Sequence, residues 1–265
     1  MEAKGHDRMR TVCMYECMGM AMFVFSILNL RDDFAIPFAL MAVVILFGGI
    51  TGGHFNPAVT LGVFVQLGDY SKNLPVMLML IGSQFVGALF AILINFAGNW
   101  KYPNGLVPIL APKNPITGLP DNYDGTGSFD MDWAVLQNET ICTFLFVAVI
   151  LMVKNEHTAG EKKGVYAVMC VCATLLGVIS STGPIGACCN PAVTIGLTVD
   201  ALIRYQNCPV DKAFMTHYLY AYTIGPIIGG LLAGLFFIFH RKLHEPDDAR
   251  LDEKRHHLVN SSDSA

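Results

Sequence analysis

The pentapeptide Asn-Pro-Ala-Val-Thr occurs twice, at Asn56–Thr60 and at Asn190–Thr194. Asparagine is a favoured N-cap and proline fits the first helical position, where no backbone donor is needed, so each copy reads as a helix start. The two carboxamides carry more than capping chemistry. Their oxygens can cap the helix while their NH2 groups remain able to donate to a small molecule's oxygen. His54 precedes the first copy, Cys188 and Cys189 directly precede the second, and two carboxylates, Glu16 and Glu139, stand in otherwise uncharged sequence. The cysteines show no Cys-x-x-Cys paired with histidine, so no metal site is expected, and no catalytic constellation or cofactor motif is present.

The surrounding elements explain why such groups matter. Of 265 residues 53% are hydrophobic and 14% charged, against about 25% charged in soluble domains. The charge-poor runs are Thr11–Leu30 (20 residues, with Glu16), Phe34–Gly68 (35) and Leu74–Trp100 (27), then Trp133–Val153 (21, with Glu139), Gly164–Val199 (36) and Ala213–Phe239 (27). A spanning helix needs about 20 apolar residues, so the chain is a multi-pass membrane protein. The order of lengths repeats, which marks two halves. A run of about 35 suits one span followed by a half-length re-entrant segment. Three spans per half turn the second half upside down, and inverted repeats place their site near the membrane midplane, at the tips of broken helices.

The expected organisation is therefore an all-α membrane protein of six transmembrane helices plus two re-entrant half-helices. Residues 1–10 form the N-terminus and 11–239 the membrane domain, with one repeat over about 11–100, an outer loop over 101–132 and a second repeat over about 133–239. Residues 240–265 form a hydrophilic, mobile tail. With the N-terminus inside, the cytoplasmic segments hold 12 Lys and Arg and the opposite side 5, which sets both termini in the cytoplasm. The net charge of −4 comes with no basic stripe, so no nucleic-acid partner is expected. Most cysteines fall inside spans as small hydrophobes, and Cys208 alone falls in an outer loop.

Over roughly Thr11–Phe239 the sequence resembles the aquaporin, or major intrinsic protein, family. The resemblance is carried by Gly52-Gly-His-Phe-Asn-Pro-Ala-Val-Thr-Leu-Gly and Gly186-Ala-Cys-Cys-Asn-Pro-Ala-Val-Thr-Ile-Gly. Glu16, Glu139, Gln84, Gly87-Ala88 and Gly225-Pro-Ile-Ile-Gly-Gly support it. It implies a homotetramer in membrane lipid with one pore per subunit, passing small neutral solutes past Asn56, Pro57, Ala58, Asn190, Pro191 and Ala192. It also implies that Glu16 and Glu139 tether the re-entrant backbone rather than relay protons. His54 either donates to the pore wall or braces its loop. One of Cys188 and Cys189 either faces the pore, open to mercurials, or both fill the core.

The pattern breaks at one place. Most aquaporins follow the second Asn-Pro-Ala with the arginine of the outer constriction, and this chain has Val193. The other constriction positions fall by offset at Ile36, Ile179 and Ala187, with Phe38 an alternative to Ile36. An apolar constriction is wider and less polar than that of a strict water channel, and it can close by dewetting. The expected function is a passive channel for water first, with glycerol, ammonia, urea or hydrogen peroxide as options. The alternative is a structural membrane subunit on the same fold with a poorly conducting pore. An ion-coupled transporter ranks below both, because the long central runs hold no titratable group apart from His54.

Overall fold

The computed structural model describes residues 2–29, 33–98, 110–112, 131–155, 164–204 and 212–262, of which 2–6, 184, 212–214 and 244–262 are described by their backbone alone. Cys208 and most of the 101–132 loop lie outside the described residues. The elements are α1 (Glu2–Asn29), α2 (Ile36–Thr51), α3 (Pro57–Leu67), α4 (Tyr70–Gly98), α5 (Asp132–Lys154), α6 (Val165–Ser181), α7 (Pro191–Arg204), α8 (Lys212–His217) and α9 (Ala221–Ser262). Among the described residues there is no strand.

Among the described residues five stretches are long and apolar enough to cross a membrane: Asp7–Asn29, Asp33–Thr51, Tyr70–Gly98, Asp132–Lys154 and Met215–Leu243. The sixth span is α6, an apolar helix of 17 residues that reaches about 25 Å at 1.5 Å per residue. The helices α3 and α7, with 11 and 14 residues, are too short to cross a core about 30 Å thick. Each long charge-free run thus divides as its length requires. Phe34–Gly68 gives α2 and the half-helix α3, and Gly164–Val199 gives α6 and the half-helix α7.

Packing follows the same doubling. The pairings α1 with α4, α1 with α2, α3 with α4 and α3 with α9 recur as α5 with α9, α5 with α6, α7 with α9 and α7 with α4. The half-helices also meet each other, and α2 meets α6, at the centre of the arrangement. Large apolar side chains such as Ile45, Leu93 and Val165 are exposed on the outside while Glu16, Gln84 and Glu139 are fully buried. That distribution suits acyl chains outside and a polar lining within.

Two features depart from the sequence reading. The run Ala213–Phe239 is broken, since α8 ends at His217 and α9 starts at Ala221 after a turn at Tyr218–Tyr220. The tail from His240, for which no element is expected, continues α9 as helix to Ser262. Its Glu, Lys, Arg and Leu residues are good helix formers and can extend a helix already nucleated inside the membrane, where starting one is the costly step.

Close approach in the bundle depends on glycine. A Cβ on Gly230 of α9 would lie 2.4 Å from the Ala58 carbonyl oxygen at the start of α3. Gly230→Val is expected to lower the thermal midpoint of the purified protein by an amount equivalent to about 1–3 kcal/mol of overpacking. Gly82→Val, at an exposed α4 position with nothing within 4 Å, should leave the midpoint unchanged.

Candidate functional site

The two Asn-Pro starts meet at the centre of the molecule. Asn56 has extended backbone (φ −164°, ψ 120°), and its side-chain oxygen accepts from Ala58 N at 2.8 Å, capping α3. Asn190 does the same for α7, accepting from Ala192 N at 3.1 Å and Val193 N at 3.4 Å. With the oxygens so occupied, the amide nitrogens cross over. Asn56 Nδ2 donates to the Cys189 carbonyl at 2.8 Å, and Asn190 Nδ2 donates to the Phe55 carbonyl at 2.9 Å. Each carboxamide has two N–H bonds. One is spent on the opposite loop, and the second has no partner among the described residues.

The carbonyls that receive these bonds belong to strained residues. Phe55 (φ 42°) and Cys189 (φ 55°) are the non-glycine residues with positive φ among those described. Such conformations cost on the order of 1–3 kcal/mol and persist only where the surroundings over-determine them. Here the carboxylates do so. Glu16 accepts from His54 N at 3.0 Å and Phe55 N at 2.8 Å, while Glu139 accepts from Cys188 N at 2.6 Å and Cys189 N at 2.8 Å. Both carboxylates are 0% exposed, so their acceptor capacity goes to loop backbone rather than to solvent. On α1, Gly19 leaves room for the Phe55 ring, since a Cβ there would stand 2.3 Å from it.

Several residues of this arrangement are not singled out by sequence reasoning as site residues. Thr60 and Thr194 each return their hydroxyl to the carbonyl of the capping asparagine four residues earlier, at 3.0 and 3.1 Å. Gln84 of α4 donates to Glu16 at 2.8 Å and to Thr60 at 3.0 Å. In the second half Tyr222 stands three residues before Gly225 as Gln84 stands three before Gly87. Its carbonyl, 2.8 Å from Thr194 Oγ1, shares that hydroxyl's one proton with the Asn190 carbonyl, and its own hydroxyl donates to the Ile185 carbonyl at 2.8 Å. The signal available in sequence was the equal offset within the repeats. The change from Gln to Tyr hides it.

The remaining candidates fall into place around this centre. His54 is half-buried, its Nδ1 lies 3.2 Å from Thr60 Oγ1 and its backbone N–H is held by Glu16. Cys189 is 1% exposed while Cys188 is half-buried beside Thr194 Oγ1 at 3.3 Å. Ile36, Ile179 and Ala187 are partly buried against one continuous apolar cluster that includes Val193, itself 4% exposed. Phe38, the alternative to Ile36, is 49% exposed and pairs with Phe34 at 5.5 Å, away from that cluster. Pro57, Ala58, Pro191 and Ala192 are buried in the first turns of the half-helices. Among the described residues no group of three or more His, Cys, Asp or Glu could hold a metal.

Electrostatically, two helix N-termini with about half a positive charge each point at one region. Non-helical backbone at this depth is tolerated only where it is buried in protein or lines a cavity. Replacing Glu139 by Gln would set an NH2 against two backbone N–H groups that need an acceptor. Glu139→Gln is expected to destabilise the protein by about 1–3 kcal/mol, read as a lower melting temperature, with Glu16→Gln showing a comparable loss.

The model of the major intrinsic protein family matches residues 9–237. An aquaporin AqpM of Methanothermobacter thermautotrophicus is 30% identical over 210 residues, covering 77% of this chain and 73% of that protein. The glycerol uptake facilitator protein of Bacillus subtilis is 28% identical over 197 residues, covering 72% and 64% respectively. Among solved structures, the aquaglyceroporin from Plasmodium falciparum has the same fold, with a TM-score of 0.63, 17% identity and coverage of 87% of this chain and 94% of that one.

Proposed function

The chain belongs to the major intrinsic protein family and is a membrane channel for water and small neutral solutes; from that premise we propose that it conducts glycerol-sized solutes as well as water through one pore per subunit of a homotetramer. The observation that carries this reading is the pair of crossed asparagines, each with one amide N–H fixed on the opposite loop and the other left to donate to a passing oxygen. The loop carbonyls of Thr51–Phe55 and Gly183–Cys189 then act as acceptors on either side. A molecule with both donors and acceptors, such as water or glycerol, exchanges its partners stepwise, while the converging helix N-termini oppose cations.

Selectivity in this reading is set by Ile36, Ile179, Ala187 and Val193. All four are apolar, so the constriction neither binds the solute nor carries the charge that narrows a strict water pore. The relatives named above, an aquaporin and a glycerol facilitator, bracket the substrate range. In the membrane both termini are cytoplasmic, supported by the 12 to 5 division of Lys and Arg. The first re-entrant loop then enters from the cytoplasm and the second from outside. The apolar constriction also favours a second reading, a structural membrane subunit whose pore stays dewetted.

Stopped-flow light scattering on proteoliposomes separates the two. Water and glycerol gradients should produce rapid shrinkage and re-swelling with a low activation energy, and Asn190→Asp should slow both. Val193→Arg is expected to slow glycerol about tenfold, or about 1.4 kcal/mol of added barrier, while water falls less. Rates equal to empty liposomes from well-folded tetramers would assign the chain to the structural reading.

A further inference from the structure

Asn56 and Asn190 define the centre of each re-entrant segment, and the residue four positions before each is a glycine, Gly52 and Gly186. These two carbonyls lie within the acceptor rails, and both are held by side chains of the same helix. At one end of α5, Asn138 Nδ2 donates to the Gly186 carbonyl at 2.6 Å. At the other end, Lys154 Nζ donates to the Gly52 carbonyl. The two residues are 16 positions apart, about 24 Å along the helix. The pairing is alike in geometry and unlike in charge: a neutral amide at one mouth, an ammonium at the other.

A plain reading exists for Lys154. A lysine in the last turn of a helix favours its own helix dipole. Its ammonium nevertheless reaches across 102 positions of sequence to the other half of the protein. There it meets the carbonyl of the residue that caps α2 in the left-handed conformation (φ 88°). Lys154 is exposed, Gly52 is exposed, and among the described residues no ion pair involves Lys154. Among the described carboxylates, Glu16 is the one that acts on this charge through space. The Glu16 carboxylate is taken up by His54 N, Phe55 N and Gln84 Nε2.

We propose that Lys154 is the fixed cation of this pore, a specificity-determining residue at the cytoplasmic mouth that excludes cations where the constriction residue Val193 supplies no charge. This rests on the channel reading above and on the orientation given there. A lysine ammonium is a compact point charge on a flexible stem, and a charge at a narrow mouth with low-dielectric walls acts on ions over a longer range than in bulk water. The interaction with Gly52 holds that charge against an acceptor of the first rail. A neutral solute passes it by exchanging hydrogen bonds, whereas a sodium ion meets a like charge before it reaches any carbonyl.

The full-length protein in proteoliposomes tests this with three forms: wild type, Lys154→Gln and Lys154→Arg. Glutamine keeps a donor for the Gly52 carbonyl and drops the charge, whereas arginine keeps both. Glycerol flux is read by light scattering, and sodium leak by a voltage-sensitive dye under a sodium gradient. The expected result is a sodium leak about tenfold or more above wild type for the glutamine form, the size of effect one charge exerts at a few ångströms. Glycerol flux should be retained, and the arginine form should stay tight. If the glutamine form proves poorly folded, Lys154→Met supplies the uncharged comparison. A wild type that conducts glycerol together with an uncharged variant that stays tight to sodium would overturn the role of Lys154 alone. A wild type that conducts no glycerol would overturn the channel reading and this role with it.

Discussion

The exchange of amide and carbonyl between the two re-entrant segments is the constraint on which the rest depends. Each loop carries backbone that no helix satisfies, at a depth where an unpaired polar group costs several kcal/mol. The solution is reciprocal. Glu16 and Glu139 take the loop N–H groups, and Asn190 and Asn56 take the carbonyls of Phe55 and Cys189. Because every partner is itself fixed, two residues can be held at positive φ without glycine. That conformation turns the chain from loop into helix at the midplane and aims the helix starts toward each other.

Much of the bundle follows from keeping that centre in place. The half-helices are held from behind by α4 and α9, close enough that Gly230 has no space for a side chain against the Ala58 carbonyl. Gln84 and Tyr222 then do different work at equivalent positions. Gln84 completes the hydrogen bonding of Glu16, and Tyr222 reaches past the tether to the Ile185 carbonyl. The two halves thus share a backbone plan while using different side chains to brace it. A symmetric framework with unlike braces lets α5 hold the two loops differently, through Asn138 at Gly186 and Lys154 at Gly52.

The architecture was legible in the sequence because membrane thickness converts run length into topology. A 35-residue apolar run holds one span and a remnant, and Asn-Pro says where the remnant starts. The tethers Glu16 and Glu139 were legible only through the family resemblance, because an intramembrane carboxylate taken by itself points to a functional role. The break at Tyr218–Tyr220 and the helical tail were not, because they depend on how local propensity continues from a packed segment. The reach of Lys154 to Gly52 was hidden for another reason. Nothing local distinguishes a lysine at the end of a span from any other, and its partner lies 102 positions away.

The crossed bonds also impose an order in time. The Asn56 amide and its Cys189 acceptor are separated by 133 positions, so the first loop cannot be completed until the second has been made. At roughly 5–20 residues per second of synthesis, the first half waits on the order of ten seconds with an amide unpaired inside the membrane. During that interval the nascent half must rely on Glu16 and Gln84, which are already in place, to keep its re-entrant segment from sliding out. The early tether is thus what a ribosome-bound intermediate has to stand on, and the late crossing is the step that commits the chain to its final topology.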